Sequence, residues 1–258
     1  MVRPLRPTIE LARITMQGSF AGVRGIGLVI GAYLPTVVLA GVVAGGTSGA
    51  ELVGMYENLT LLLFFPLVLL LLTLLLGIPL FRDEIDRESL SYLLTRGLGK
   101  PFLVLGKYLG YLGAALVLLL PPVALTFGVV SVWGNPPAGS LDGVLPALLA
   151  ATTLGAVAYG AFFLVLGMVS RNALLYGLLY AFVWEYLIGG LSGIAPDLSV
   201  MHYLLSIPTF WVSTGPLATY ATKLSLAQAA AAPCIFAVAL LILAILAFRE
   251  RGFVASPD

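Results

Sequence analysis

Residues 59–81 read LTLLLFFPLVLLLLTLLLGIPLF, and this stretch decides the class of fold. It carries no charged side chain, and a helix of about 20 apolar residues is long enough to cross the hydrocarbon core of a bilayer. A helix is also one of the few structures that satisfies its backbone hydrogen bonds within lipid. The stretch therefore predicts a membrane-spanning helix over Leu59–Phe81.

Similar apolar stretches occur along the rest of the chain. Of its 258 residues, 60% are hydrophobic and 10% are charged, whereas about a quarter are charged in an ordinary soluble domain. The further predicted spans are Gly25–Gly45, Gly106–Trp133, Val144–Val169, Ala173–Ile194 and Ala229–Phe248. No repeat or linker divides the chain, so we predict an all-α, polytopic integral membrane protein with six transmembrane helices in a single domain, 1–258.

The basic residues predict the orientation of these spans. If the spans alternate in direction, the segments before span one, between spans two and three, between spans four and five, and after span six all face one side. Twelve of the thirteen Lys and Arg residues fall in those segments, and Lys223 is the exception. The opposite connections hold Glu51, Glu57, Asp142 and Asp197. The positive-inside rule then predicts a multi-pass protein of the cell membrane with both termini in the cytoplasm.

Two segments outside the spans have their own patterns. Over residues 7–24, Glu10, Arg13, Gln17 and Arg24 follow a helical period, with Ile9, Ala12, Met16 and Phe20 beside them. This pattern predicts an amphipathic helix in the membrane interface. Residues 195–228 combine apolar and aromatic side chains with three prolines, which predicts short helices that re-enter the outer interface before span six.

The richest polar segment is FRDEIDRESLSYLLTRGLGKPFLVLGK, residues 81–107. Its acids and bases open a short amphipathic helix that ends before Gly97, with Leu90, Leu93 and Leu94 on the apolar face. Acidic residues contribute little to topology, so the positive-inside rule does not account for Asp83, Glu84, Asp86 and Glu88. A polar interface with a partner protein accounts for them better than a merely solvated loop does.

This segment resembles the corresponding one in permease subunits of the ABC-2 type transporter family. There, an acidic start leads through a pattern like E-R-E-x-G-T-L-x-x-L-L to a G-K pair at the third span. The matching residues here are Glu84, Asp86, Arg87, Glu88, Ser89, Leu90, Leu93, Leu94, Gly106 and Lys107. The chain departs from the family at Glu88-Ser89, where Gly-Thr is usual, and at residues 96–100, where the family has Pro-x-Ser-Arg.

The resemblance implies a function and a set of partners. Residues 82–100 would form a coupling helix that is received in a groove of a separate ABC ATPase subunit. The interface residues would be Asp83, Glu84, Asp86, Arg87, Glu88, Ser89, Leu90, Ser91 and Leu94. Two ATPase subunits and a second permease, identical or homologous, would complete the transporter, with ATP and Mg in the ATPase and no cofactor in this chain.

The sequence disfavours other classes of function. With a net charge of +1 the chain has no concentrated basic face for a nucleic-acid partner, and no P-loop motif occurs. Gly190-Leu191-Ser192-Gly193 is similar to an intramembrane protease motif, but the single histidine, His202, follows too closely for that class, so small residues that ease helix packing are favoured. One histidine also leaves too few ligands for a metalloenzyme, and Cys234 is expected to be a small core residue.

Glu185 has two possible roles. It lies mid-span in YAFVWEYL, where a carboxylate costs about 2.5 to 3.5 kcal/mol on insertion scales unless it is protonated or partnered. It is either a substrate-contact or gating residue of the translocation path, or a protonated or hydrogen-bonded acid that packs against another span. For the whole chain, a non-transporting assembly or extraction module driven by an ABC ATPase is the alternative to an exporter permease.

Overall fold

The computed structural model describes residues 5–20, 22–86, 100–188, 196–220 and 224–250, and every regular element within those ranges is helical. The α-helices, in chain order, are α1 (Leu5–Ser19), α2 (Gly22–Ala44), α3 (Gly49–Leu59), α4 (Leu70–Gly77), α5 (Pro79–Asp86), α6 (Lys100–Trp133), α7 (Val144–Val169), α8 (Ala173–Leu179), α9 (Val200–Ser206) and α10 (Leu226–Glu250). A π-helix, Thr60–Leu69, joins α3 to α4, and a second, Tyr180–Ile188, continues α8. Two 3₁₀ turns, Pro196–Leu198 and Pro208–Phe210, flank α9.

Five helical stretches are long and apolar enough to cross a membrane. Several such helices are typical of a multi-pass membrane protein. They are Arg24–Ala44, Gly49–Asp83, Pro101–Trp133, Val144–Val169 and Leu226–Phe248. Five of the six predicted spans therefore correspond to long apolar helices. The prolines at 121 and 122 lie inside α6, which runs through them as one helix.

The predicted span Ala173–Ile194 is described only in part. The helix runs through α8 and the second π-helix to Ile188, and residues 189–195 lie outside the described ranges. At 1.5 Å per residue, Ala173–Ile188 extends about 24 Å, less than the ~30 Å of a hydrocarbon core. A sixth crossing stays a prediction.

The second long helix begins ten residues before the predicted boundary, at Gly49 rather than Leu59. Ser48 is extended, with φ −152° and ψ 175°, and Gly46 has a left-handed φ of 93°, so the chain turns sharply before the helix. The placement of Glu57 in an outer connection is wrong, because Glu57 lies in α3 and is buried. Leu52, Val53 and Tyr56 share its buried face, at the spacing of one side of a helix.

Helix α7 lies in the centre of the bundle, where small residues let its neighbours approach closely. A Cβ on Gly160 would lie 2.0 Å from the ring of Tyr111, and one on Gly167 would lie 2.3 Å from the carbonyl oxygen of Ile78. The hydroxyl of Tyr111 in turn donates to the carbonyl of Ala156 at 3.0 Å. Small residues at such crossings are the usual means by which apolar helices pack tightly.

Helix α1 packs against α6 over a stripe of glycines. Cβ atoms on Gly106, Gly110 and Gly113 would meet atoms of α1 at 3.0, 2.5 and 3.2 Å, respectively. The N-terminal helix predicted over residues 7–24 is confirmed as a helix up to Ser19, and Ala12 and Met16 face α6 as part of its apolar side. The placement of Arg24 on it is wrong, because Arg24 lies in α2. Ile9 does not, since it is 65% exposed.

Gly110→Val should release α1 from α6, because the nearest atom is the main-chain oxygen of Ala12 and cannot move aside without shifting the helix. We expect hydrogen–deuterium exchange of Leu5–Ser19 to rise at least tenfold in the purified protein. Gly128→Val is the matched control, since Gly128 lies on the same helix with nothing within 4 Å of its would-be Cβ. Equal exchange in the two variants would show that the glycine stripe does not hold α1.

Candidate functional site

The predicted coupling interface lies where α5 ends and α6 begins, and a buried lysine fastens the two helices together there. Lys107 is 3% exposed, and its Nζ donates a hydrogen bond to the carbonyl oxygen of Leu80 in α5. The same ammonium lies 4.7 Å from the ring centroid of Phe81, in a cation–π contact. We call Leu80, Phe81 and Lys107 the helix junction.

A surface ion pair connects the helix junction to the start of α2. Arg24 Nη1 lies 3.8 Å from Asp83 Oδ2, and the guanidinium also donates to the carbonyl oxygen of Leu75. Both charged side chains are about half exposed, so the ion pair adds at most ~1 kcal/mol. The first, second and third long helices thus meet at this end of the bundle.

The predicted interface residues are only partly within the described chain. Asp83 is exposed. Glu84 and Asp86 also belong to α5, so the acidic start of the segment is helical. The other members, Arg87, Glu88, Ser89, Leu90, Ser91 and Leu94, lie outside the described residues. The short amphipathic helix predicted after Glu88 therefore stays a prediction.

Glu185 lies in the second π-helix and joins it to the segment around α9. It is 4% exposed. Its Oε1 accepts hydrogen bonds from the hydroxyl of Tyr180 and, at 3.3 Å, from the N–H of Val200. Its Oε2 accepts from the hydroxyl of Ser199 at 2.5 Å and from the N–H of Met201 at 3.1 Å. The carboxylate therefore binds the first turn of α9, whose free N–H groups need acceptors.

These contacts supply the partner that the sequence left open. They agree with the second role considered for Glu185 in that the acid is hydrogen-bonded, but its partner is the segment around α9 and not another span. A place in the translocation path stays a prediction. They also show that glutamine is not an equivalent replacement. Two backbone N–H groups donate to different oxygens of Glu185, and an amide has only one oxygen that accepts.

An apolar groove of about 660 Å³ lies beside Glu185, between its helix, α9 and α10. Its aromatic lining comes from Phe162, Tyr180, Trp184, Tyr203 and Phe236. Polar side chains among the lining residues are few, chiefly Asp197 and Ser199. A groove of this size and lining suits an acyl chain or another elongated apolar group.

His202 is held by two neighbours. Its Nδ1 lies 2.9 Å from the Tyr220 hydroxyl and its Nε2 lies 3.8 Å from Asp197 Oδ1. Burial lowers the pKa of His202 below its ordinary value, and the nearby Asp197 carboxylate partly opposes that shift. Ser192 lies outside the described residues, so a Ser–His pair is not tested.

The core position expected for Cys234 is wrong, because Cys234 is exposed on α10.

Sequence reasoning missed one buried contact of long range. The N–H of Leu217 donates to Glu57 Oε2 at 2.8 Å, which ties the segment after α9 to α3. The signal was present, because Glu57 continues the helical period of Leu52, Val53 and Tyr56.

Comparison with known proteins gives no further lead, since no family model and no curated protein matches the chain.

Proposed function

We propose that this chain is the membrane-spanning permease subunit of an ATP-driven exporter of the ABC-2 type. It would work as a pair of permeases above two separate ATPase subunits that bind ATP and Mg. In this proposal α1 is the interfacial helix, residues 82–100 carry the coupling helix, the sixth crossing is the helix that begins at Ala173, and residues 195–228 form the outer re-entrant segment. Both termini are cytoplasmic.

The observation that carries the proposal is the helix junction at the ends of the coupling segment. A coupling helix transmits force only if its attachments to the membrane helices are stiff. Here the segment leaves α5 and re-enters through α6, and Lys107 fastens these two helices a few residues from the segment. A push from an ATPase would then move α5 and α6 as one body.

The groove beside Glu185 supports an amphipathic cargo. Its lining is largely aromatic and aliphatic, and two of the long helices contribute to it, α7 through Phe162 and α10 through Ile235 and Phe236. Intramembrane ionisable side chains commonly mark the pathways of ions, and Asp197 is the one ionisable acid among the residues that line this groove. A lipid-like or amphipathic molecule therefore fits this chain better than a small ion does.

The test of the proposal is reversal of the acids that open the coupling segment, in the double variant Glu84→Lys with Glu88→Lys. Reversal adds repulsion to the lost attraction, so the ATPase subunit encoded with the permease should copurify at less than a tenth of the wild-type yield, and ATP hydrolysis should fall in parallel. The matched control is Glu51→Lys, which reverses an exposed acid at the other end of the bundle that lines neither pocket. Unchanged copurification and hydrolysis in the first variant would remove the main support for a permease.

The proposed orientation has its own test, in single cysteines placed on a Cys234→Ala background. Ser48 and Ser213 are exposed in connections assigned to the outside, and Asn172 is exposed between α7 and α8 on the inside. A membrane-impermeant maleimide added to intact cells should label Ser48→Cys and Ser213→Cys, and label Asn172→Cys only after the cells are opened. The reverse pattern would invert the topology and place the coupling segment outside.

A further inference from the structure

A second pocket, distinct from the groove beside Glu185, lies at the opposite end of the bundle from the helix junction. Its volume is about 620 Å³, within the range of sites for small organic ligands. Three segments form it: α3, the connection between α6 and α7, and the loop after the second 3₁₀ turn. Its lining residues that matter for binding are Val53, Glu57, Ser140, Asp142, Ser213 and Thr214. We call it the Glu57 pocket.

The three segments are fastened to one another, so the pocket is preformed. The N–H of Gly49 donates to the carbonyl of Gly134 at 2.7 Å, which joins α3 to the connection after α6. A Cβ on Gly143 would lie 2.2 Å from the carbonyl oxygen of Trp211, so that connection also touches the loop after α9. A preformed pocket loses little entropy when it binds a ligand.

Glu57 brings an incompletely satisfied carboxylate to this pocket. The residue is 1% exposed, and Oε2 accepts the hydrogen bond from Leu217, but Oε1 accepts none from the described residues. The carboxylate lies against the backbone of Gly215, whose φ is 87°, and a Cβ there would lie 2.4 and 2.6 Å from its two oxygens. A buried carboxylate oxygen without a donor is costly, and a ligand with N–H groups would remove that cost.

The charges of the pocket are of one sign. Asp142, which is exposed, adds a second carboxylate at the rim, and none of the lining residues is a lysine or an arginine. Hydroxyls of Ser213 and Thr214 add neutral acceptors, while Val53 and Pro216 supply apolar wall. The described residues hold no cluster of three or more His, Cys, Asp or Glu residues, the arrangement that most often holds a metal ion.

We propose that the Glu57 pocket binds an organic ammonium group, with Glu57 as its buried counter-charge, Asp142 at its rim and the apolar wall around the carbon skeleton that bears the amine. An ammonium has three donors and matches a site whose charged side chains, Glu57 and Asp142, are both acceptors. The inference does not depend on the chain being an ABC permease, because it rests only on the lining of this pocket.

The test titrates dansylcadaverine, a primary amine on an aromatic fluorophore, into the full chain held in nanodiscs of zwitterionic lipid. The expected result is saturable binding by the wild type that weakens at least tenfold in Glu57→Gln, since a hydrogen-bonded charge pair is lost. Glutamine can still accept from Leu217 through its amide oxygen, so the fold should persist. Gly215→Ala should weaken binding similarly, because the new methyl group displaces the carboxylate.

Three controls can overturn the proposal. Glu51→Gln removes an exposed acid of the same helix that does not line the pocket, so a tenfold loss there would mean that surface charge is responsible. The N-acetylated probe lacks the ammonium, and binding as tight as that of the amine would refute the chemistry. Lys223 is the one base in the connections on this side and lies outside the described residues. If the amine bound only after Lys223→Gln, this lysine would already neutralise Glu57 in the wild type, and the proposal would fail.

Discussion

Glu185→Ala should lower the stability of the protein by about 3 kcal/mol or more, because it leaves Ser199, Tyr180 and two N–H groups of α9 without their shared acceptor. For a chain of this size the loss corresponds to a fall in Tm of roughly 6–12 °C. Replacing an acid that faces lipid would raise the stability of the protein, but Glu185 is 4% exposed and does not face lipid. The measurement is thermal unfolding in detergent.

Glu185→Gln and Glu51→Ala complete that series. Glutamine retains one accepting oxygen but turns an amide N–H₂ toward one of the donors, so its Tm should lie between those of the wild type and the alanine variant. Glu51 is exposed on α3, so Glu51→Ala should stay within ~0.5 kcal/mol of the wild type. Wild-type Tm in Glu185→Ala together with lost transport would instead assign Glu185 to the translocation path.

The sequence predicted those elements whose limits are local. Helix α7 begins and ends at Val144 and Val169 as predicted, because Gly143, with a left-handed φ of 74°, precedes it and the polar Ser170-Arg171-Asn172 follows it. Such boundaries depend on a few neighbouring residues. The long apolar stretches were likewise sufficient to predict the all-helical class of the fold.

The sequence was less informative where distant residues meet. The start of α3 was missed because Glu51, Glu57 and Asn58 lower the hydropathy of the stretch. The hydrogen bond that Glu57 accepts comes from Leu217, far along the chain, and the local pattern does not reveal it. Gly106 was interpreted as the start of a span and as half of a G-K motif, yet in the fold it also faces α1. Apart from Tyr180, the partners of Glu185 follow it by 14 to 16 residues, and no periodic pattern specifies such a contact.

Lys107→Met should loosen the helix junction while leaving the bundle intact. Methionine keeps an unbranched apolar stem beside Phe81 but removes the ammonium and its hydrogen bond to Leu80. A hydrogen bond from a charged group contributes about 1.5–3 kcal/mol, so the opening equilibrium of Pro79–Asp86 should rise about 10- to 150-fold. Hydrogen–deuterium exchange of those residues measures the change on this chain alone.

The same variant connects the helix junction to the proposed function. If α5 and α6 transmit an ATPase stroke as one body, Lys107→Met should reduce cargo-stimulated ATP hydrolysis at least fivefold while the ATPase subunit still copurifies, because the interface acids are untouched. Arg171→Met, which removes an exposed cation between α7 and α8, should change neither exchange nor hydrolysis. Faster exchange with normal stimulated hydrolysis would show that the junction stabilises the fold but does not carry the stroke. Coupling would then have to reach the bundle through α6 alone.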